Sequence, residues 1–193
     1  EGNRIALIVP SGVASGAGRA FQADVEIDGR GRYVLPGFVN LHGHIQDERA
    51  GRPMPVDYCL KLWLASGITT VRDVGSNWEK AKQWRADSAA GILAAPRLVL
   101  YRVFSAQTGE EALKKVAQFH ADGVDGIKFL GTPRDVMHTM SAAAQRLGIR
   151  RAHHAGVEET NAWDDIRDRT TSIEHWYGIP DAALPNGVQQ FPA

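Results

Sequence analysis

From Phe38 onward, short apolar runs alternate with helix-length amphipathic segments, and this alternation limits the folds open to the chain. Strands are expected at Phe38–Leu41, Ile68–Val71, Arg97–Val103, Gly126–Leu130, Ile149–Ala152 and Ser172–Ile173. Helices are expected at Val56–Ala65, Trp78–Ala90, Glu110–Ala121 and Pro133–Leu147. In the last of these, Val136, Met140 and Leu147 recur on one face, Pro133 suits a first turn and Gly148 a stop. Strand–helix alternation of this kind implies parallel strands joined by helical crossovers. Before Phe38 the pattern differs. Arg4–Val9 and Gln22–Ile27 read as short strands around a Ser/Gly/Ala-rich stretch from Ser11 to Gly18, and Asp28-Gly29-Arg30-Gly31 is a turn signal. Past Gly178 the chain reads as irregular, with Pro180, Pro185, Asn186-Gly187 and Pro192.

Bulk composition excludes several classes. The 193 residues are 44% hydrophobic and 23% charged, and Lys plus Arg equals Asp plus Glu at 22 each. No net field attracts nucleic acid or an anionic membrane. No apolar run approaches the roughly 18 residues of a spanning helix. The start, Glu1-Gly2-Asn3-Arg4, lacks the basic-then-apolar pattern of a signal peptide, which favours a cytoplasmic location. A single cysteine, Cys59, rules out an internal disulfide and a cysteine-based zinc site.

The chemistry concentrates at the ends of the expected strands. Val34-Leu35-Pro36-Gly37-Phe38-Val39-Asn40-Leu41-His42-Gly43-His44 runs from a Pro-Gly turn through an apolar strand to two histidines spaced i, i+2. Alternate strand residues share a face, so two imidazoles side by side form a metal clamp. The competing reading is one core histidine and one solvated one. Lys128 falls inside Gly126-Ile127-Lys128-Phe129-Leu130, where a strand should be wholly apolar. A buried ammonium there costs several kcal/mol unless paired or chemically changed. Either it snorkels or pairs with a carboxylate, or its neutral amine adds CO2 to give a carbamate that bridges two metals. His153 and His154 end the next strand, and consecutive residues face opposite ways. His154 is favoured for the interior and His153 for the outer face or a supporting position, a choice the sequence leaves open. His175 closes Ser172-Ile173-Glu174-His175, again at a strand end. His120 and His138 lie mid-helix and read as structural.

Together these residues resemble the metal-dependent amidohydrolase superfamily, in its imidazolonepropionase-like and prolidase-like branch. The motifs are Leu35–His44, then Gly67-Ile68-Thr69-Thr70-Val71-Arg72-Asp73, Gly126-Ile127-Lys128 and Ser172-Ile173-Glu174-His175. The resemblance runs from about Asp24 to Gly178. It implies a distorted TIM (β/α)8-type barrel with a small β-sandwich. Residues 1–36 are expected to form part of that sandwich and residues 37–193 about six of the eight barrel strands. It implies two divalent metals, zinc by preference: His42 and His44 on one, a carboxylated Lys128 between, and His154 and His175 on the other. Asn40 departs from the aspartate common at that point. The implied reaction is hydrolysis of an amide, peptide or cyclic imide C–N bond by metal-activated hydroxide. An aspartate on the last strand serves as general base.

That strand has no counterpart here, since 193 residues fall short of the roughly 250 of a complete barrel. Asp181 comes too soon after His175 to replace it. The chain is therefore expected to be a fragment that dimerises or takes up a complementing C-terminal segment. A catalytically incomplete piece, or a non-catalytic metal-binding barrel, is the alternative. The expected substrate is a small molecule or dipeptide-like compound. Asp47, Glu48, Arg49 and Glu158-Glu159 would lie near the mouth, and Trp176 and Tyr177 could line a pocket.

Overall fold

The computed structural model describes residues 4–10, 23–155 and 160–184, and the chain divides into two compact units, Glu1–Pro36 and Gly37–Ala193. In the first unit the expected turn forms: Arg32 N–H donates to the Gly29 carbonyl at 3.0 Å, with Gly31 at φ 73°. The Arg30 guanidinium meets both oxygens of Asp28. No strand occurs among the described residues of this unit, and those residues are exposed. The strands expected at Arg4–Val9 and over the described part of Gln22–Ile27 are thus not formed. The described residues of both segments are exposed, and an isolated two-strand pairing is marginal in water. Gln22, the stretch Ser11–Gly18, Glu158, Glu159 and the Pro and Asn-Gly positions beyond 184 lie outside the described residues.

The second unit begins with strand β1 (Phe38–Gly43) and a two-stranded ribbon, β2 (Glu48–Arg49) with β3 (Arg52–Pro53). Helix α1 (Val56–Ala65) leads to β4 (Ile68–Asp73), then α2 (Trp78–Ala89) and β5 (Arg97–Phe104). Next come α3 (Gly109–Ala121), β6 (Gly126–Phe129), α4 (Arg134–Arg146) and β7 (Arg150–His154). Helix α5 (Ala162–Asp168), strand β8 (Ser172–Glu174) and helix α6 (Gly178–Ala183) complete the order. The six long-range strands pair in parallel in the order β1-β4-β5-β6-β7-β8, forming a nearly closed barrel with helices outside. This is an incomplete TIM-type barrel. All six expected strands and all four expected helices are present, each to within two residues at either end. The β2–β3 ribbon, α5 and α6 lie in segments without a clear periodic signal. The ribbon is made by Ala50 and Gly51, both at positive φ, as a tight hairpin turn demands.

Two apolar layers fix the helices to the sheet. Leu60, Val71, Trp78, Leu98 and Leu100 pack α1 and α2 onto β4 and β5. Phe104, Val116, Phe119, Ile127, Phe129, Met137 and Met140 pack α3 and α4 onto β5 and β6. Each such side chain contributes about 1.5–3 kcal/mol through burial. Period two then sends the alternate residues of each strand inward. Val74, Tyr101 and Ala152 form a small interior cluster, with Val99 against it. The remaining inward positions are polar, and they make the site.

Candidate metal and hydrolytic site

The barrel brings four of the singled-out histidines together at the C-terminal ends of its strands. The His42 ring centroid lies 5.2 Å from that of His44 and 4.8 Å from that of His175. His154 and His175 are 4.2 Å apart, and Tyr177 stacks parallel to His154 at 5.8 Å. Strand β1 bulges between Asn40 and Gly43 and ends there. The Asn40 side chain accepts the His42 backbone N–H at 3.0 Å, so this amide shapes the strand end from within. His175 leaves β8 at φ 64°, and that turn swings its ring towards His42 and His154.

His153 and His154 part as alternation requires. His153 is fully buried on the outer face of β7, stacked on Phe129 at 4.2 Å. Its Nδ1 lies 2.9 and 3.0 Å from the two Asp165 oxygens, which ties β7 to α5. His154 faces the interior, with the other three imidazoles. His120 is exposed on α3, and His138 is exposed with its Nδ1 2.8 Å from Asp168.

Lys128 pairs in register with Ala152 and points inward from β6, 3% exposed. Its Nζ has no hydrogen-bond partner among the described residues. Burial pushes its pKa down to about 8, Glu174 opposing and Arg72 adding to the effect. Burial also lowers His154 to about 4, with the charges of His175 and Lys128 next in weight. His44 and His175 are lowered too, first by burial and then by neighbouring charge. His44, His154 and His175 are thus favoured as neutral imidazoles and Lys128 as a readily deprotonated amine. Those are the forms that bind a divalent metal and add CO2. The donor chemistry fits such an ion, although no three His, Cys, Asp or Glu groups among the described residues are placed around a single centre.

Three residues inside the quoted motifs take on roles that the sequence did not assign. Arg72, inward on β4, spreads its guanidinium over the Tyr101 ring at 5.1 Å. Glu174, 5% exposed, holds both Arg72 and His42. Burial raises the Glu174 pKa, but hydrogen bonds from Ser172 and His42 and the charge of Arg72 outweigh it and keep the group low. Asp73 ends β4, 1% exposed, and accepts from Ser76 Oγ at 2.7 Å, while Ser76 Oγ accepts the Ile45 N–H at 2.7 Å. Burial raises Asp73 to about 6. Period two places Arg72 and Glu174 on the inward faces, which was the available signal. Asp47 is drawn off to Lys80 at 2.6 Å, and Glu48 and Arg49 line a recess with His44.

A Xaa-Pro dipeptidase with methionine bound in its active site superposes with TM-score 0.63 at 22% identity, covering 73% of this chain and 48% of that one. A molinate hydrolase gives 0.63 at 15%, covering 83% and 51%. Phenylurea hydrolase B gives 0.58 at 17%, covering 74% and 47%. The chain shares the barrel fold of these hydrolases. The resemblance read from its motifs and the fold of these hydrolases agree. The chain spans about half the length of each of these structures. No family model and no curated protein sequence matches it. Among the described residues, no helix is long and apolar enough to cross a membrane.

Proposed function

We propose that the protein is, or is part of, a metal-dependent hydrolase of carbon–nitrogen bonds in amides, peptides or cyclic imides. The observation that carries this reading is the gathering of His42, His44, His154 and His175 around buried Lys128 at the C-terminal ends of parallel strands. In barrels of this kind that end carries the chemistry. The hydrolases that share the fold add support at the level of reaction class.

His42 and His44 would hold one divalent ion and His154 and His175 a second, with zinc the expected metal. A Lys128 carbamate would join them, since a buried amine with pKa about 8 and no hydrogen-bond partner among the described residues has a neutral fraction that adds CO2. When bound, such ions lower the pKa of a water to near neutrality. Tyr177 and Trp176, stacked on each other at 5.1 Å beside His154, would orient a ring or apolar side chain of the substrate. Glu48 and Arg49 stand at the recess beside His44 and suit the charged ends of a dipeptide-like substrate. None of the described carboxylates is assigned as general base, because Glu174 is held by Arg72 and His42 and Asp73 by the loop at Ser76.

The test is metal content and turnover of gel-filtered protein reconstituted with zinc and bicarbonate. About two ions per chain, lost with Lys128→Ala or His42→Ala, and dipeptide hydrolysis that stops on chelation are the expected results. That no three such donors among the described residues surround one centre favours a second reading, a barrel that binds metal without turnover. Metal uptake with no hydrolysis would select it, and no uptake would reject both.

A further inference from the structure

Arg72, Ser172, Glu174 and His42 form one directional hydrogen-bond chain across the barrel interior. Arg72 Nε donates to the Leu41 carbonyl at 2.5 Å, and Arg72 Nη1 donates to Ser172 Oγ at 2.9 Å. Its remaining terminal nitrogen, Nη2, donates to Glu174 Oε1. Ser172 Oγ accepts from Arg72 and passes its own hydrogen to Glu174 Oε1 at 2.7 Å. The other carboxylate oxygen, Oε2, lies 2.6 Å from His42 Nδ1. A guanidinium only donates, and a carboxylate held by one only accepts. Apart from the Arg72 Nε–H held by the Leu41 carbonyl, every hydrogen therefore runs towards Glu174, and the last must come from His42 Nδ1.

We infer that Glu174, braced by Arg72 and Ser172, is a positioning residue that fixes His42 as the Nδ1–H tautomer and leaves its lone pair on Nε2. This rests on the proposed metal site for its purpose, since Nε2 is then the nitrogen left to bind an ion. Carboxylates behind ligating histidines act in this way, setting tautomer and ring orientation. The same chain joins β1 to β8, which are not hydrogen-bonded neighbours in the sheet. It reaches them from β4 through one forked side chain. A lysine at position 72 could not make all three contacts at once.

The experiment is long-range nitrogen–proton NMR on histidine-labelled, metal-free protein at neutral pH, with His42→Gln assigning the His42 signals. It is paired with zinc titration of the same samples. Wild type should show His42 protonated at Nδ1 alone. In Glu174→Gln the amide can turn its NH2 towards His42, so the Nε2–H tautomer should appear and zinc affinity should fall about ten- to hundredfold. Ser172→Ala removes one brace and should give a smaller loss in the same direction. It also serves as the readout if Glu174→Gln fails to fold. A wild-type Nε2–H tautomer, or unchanged tautomer and zinc affinity in a folded variant, overturns the inference. Failure of the wild type to take up zinc would overturn the metal-site reading alone, because the tautomer is read without metal.

Discussion

Lys128 and Asp73 are both charged-type side chains placed where water does not reach, and both invite substitution. An amine that is 3% exposed, with no hydrogen-bond partner among the described residues, carries a desolvation cost in the metal-free protein that the charge of Glu174 offsets only in part. Lys128→Met should therefore stabilise that state by about 1–3 kcal/mol while abolishing zinc uptake. Urea unfolding and metal content per chain check the two halves; a destabilised variant would mean the amine has a partner after all. Asp73 makes a pH-dependent prediction. Its folded pKa of about 6 lies above the ordinary carboxylate value, because burial disfavours the charge. Below about pH 4 both folded and unfolded states hold the proton, and the favourable contribution is complete. Between about pH 4 and 6 the unfolded state ionises first, so that contribution is lost. Asp73→Asn keeps a neutral acceptor for Ser76, so it should match wild type near pH 4 and exceed it at pH 7 by on the order of 2 kcal/mol. A difference independent of pH would refute the assignment. Lys128 stood out in the sequence as a charge within an apolar strand, whereas the role of Asp73 did not show there. Burial of Asp73 depends on the Ser76 loop folding over it, and no local pattern encodes that.

Among the elements, the strands β1 and β4 to β7 and the helices α1 to α4 follow from apolar periodicity, and their junctions follow from a few small residues. Gly126 opens β6 against Tyr101, where a Cβ would come within 2.4 Å of the ring. That ring also carries Arg72. Gly126→Ala should cost about 1–3 kcal/mol through overpacking, and it should disturb the His42 signals because Arg72 must shift with the ring. Thermal unfolding and the same NMR spectrum test this together. At α5, Asn161 and Asp164 form a reciprocal capping box, and the helix then presents Asp165 to His153. Asn161→Ala should lower stability by about 1 kcal/mol. The sequence offered Asn-x-x-Asp here, but without a long apolar period behind it the short helix did not stand out. The turn at His175 was hidden for a related reason. Strand parity sets Glu174 and His175 on opposite faces, and only the positive φ at His175 brings both towards His42.

The barrel unit as a whole keeps two incompletely covered sides. On β1, Phe38, Val39 and Leu41 are at least half exposed, and on α5 and α6 the same holds for Trp163, Ile166 and Ile179. An edge strand with apolar neighbours is an association surface. Sedimentation of the isolated chain should show concentration-dependent self-association, reduced by Val39→Lys; a monomer at high concentration would show that these surfaces are inert. The sequence by itself determined the strand–helix alternation, the six parallel strands and the strand-end addresses of His42, His44, Lys128, His154 and His175. Periodicity and local turn chemistry act within a few residues and need no distant partner. Only the tertiary structure decided which histidine of the pair at 153 and 154 turns inward, that Arg72 spans three strands, and that Glu174 meets His42. Those outcomes depend on sheet curvature, which brings together side chains more than a hundred residues apart.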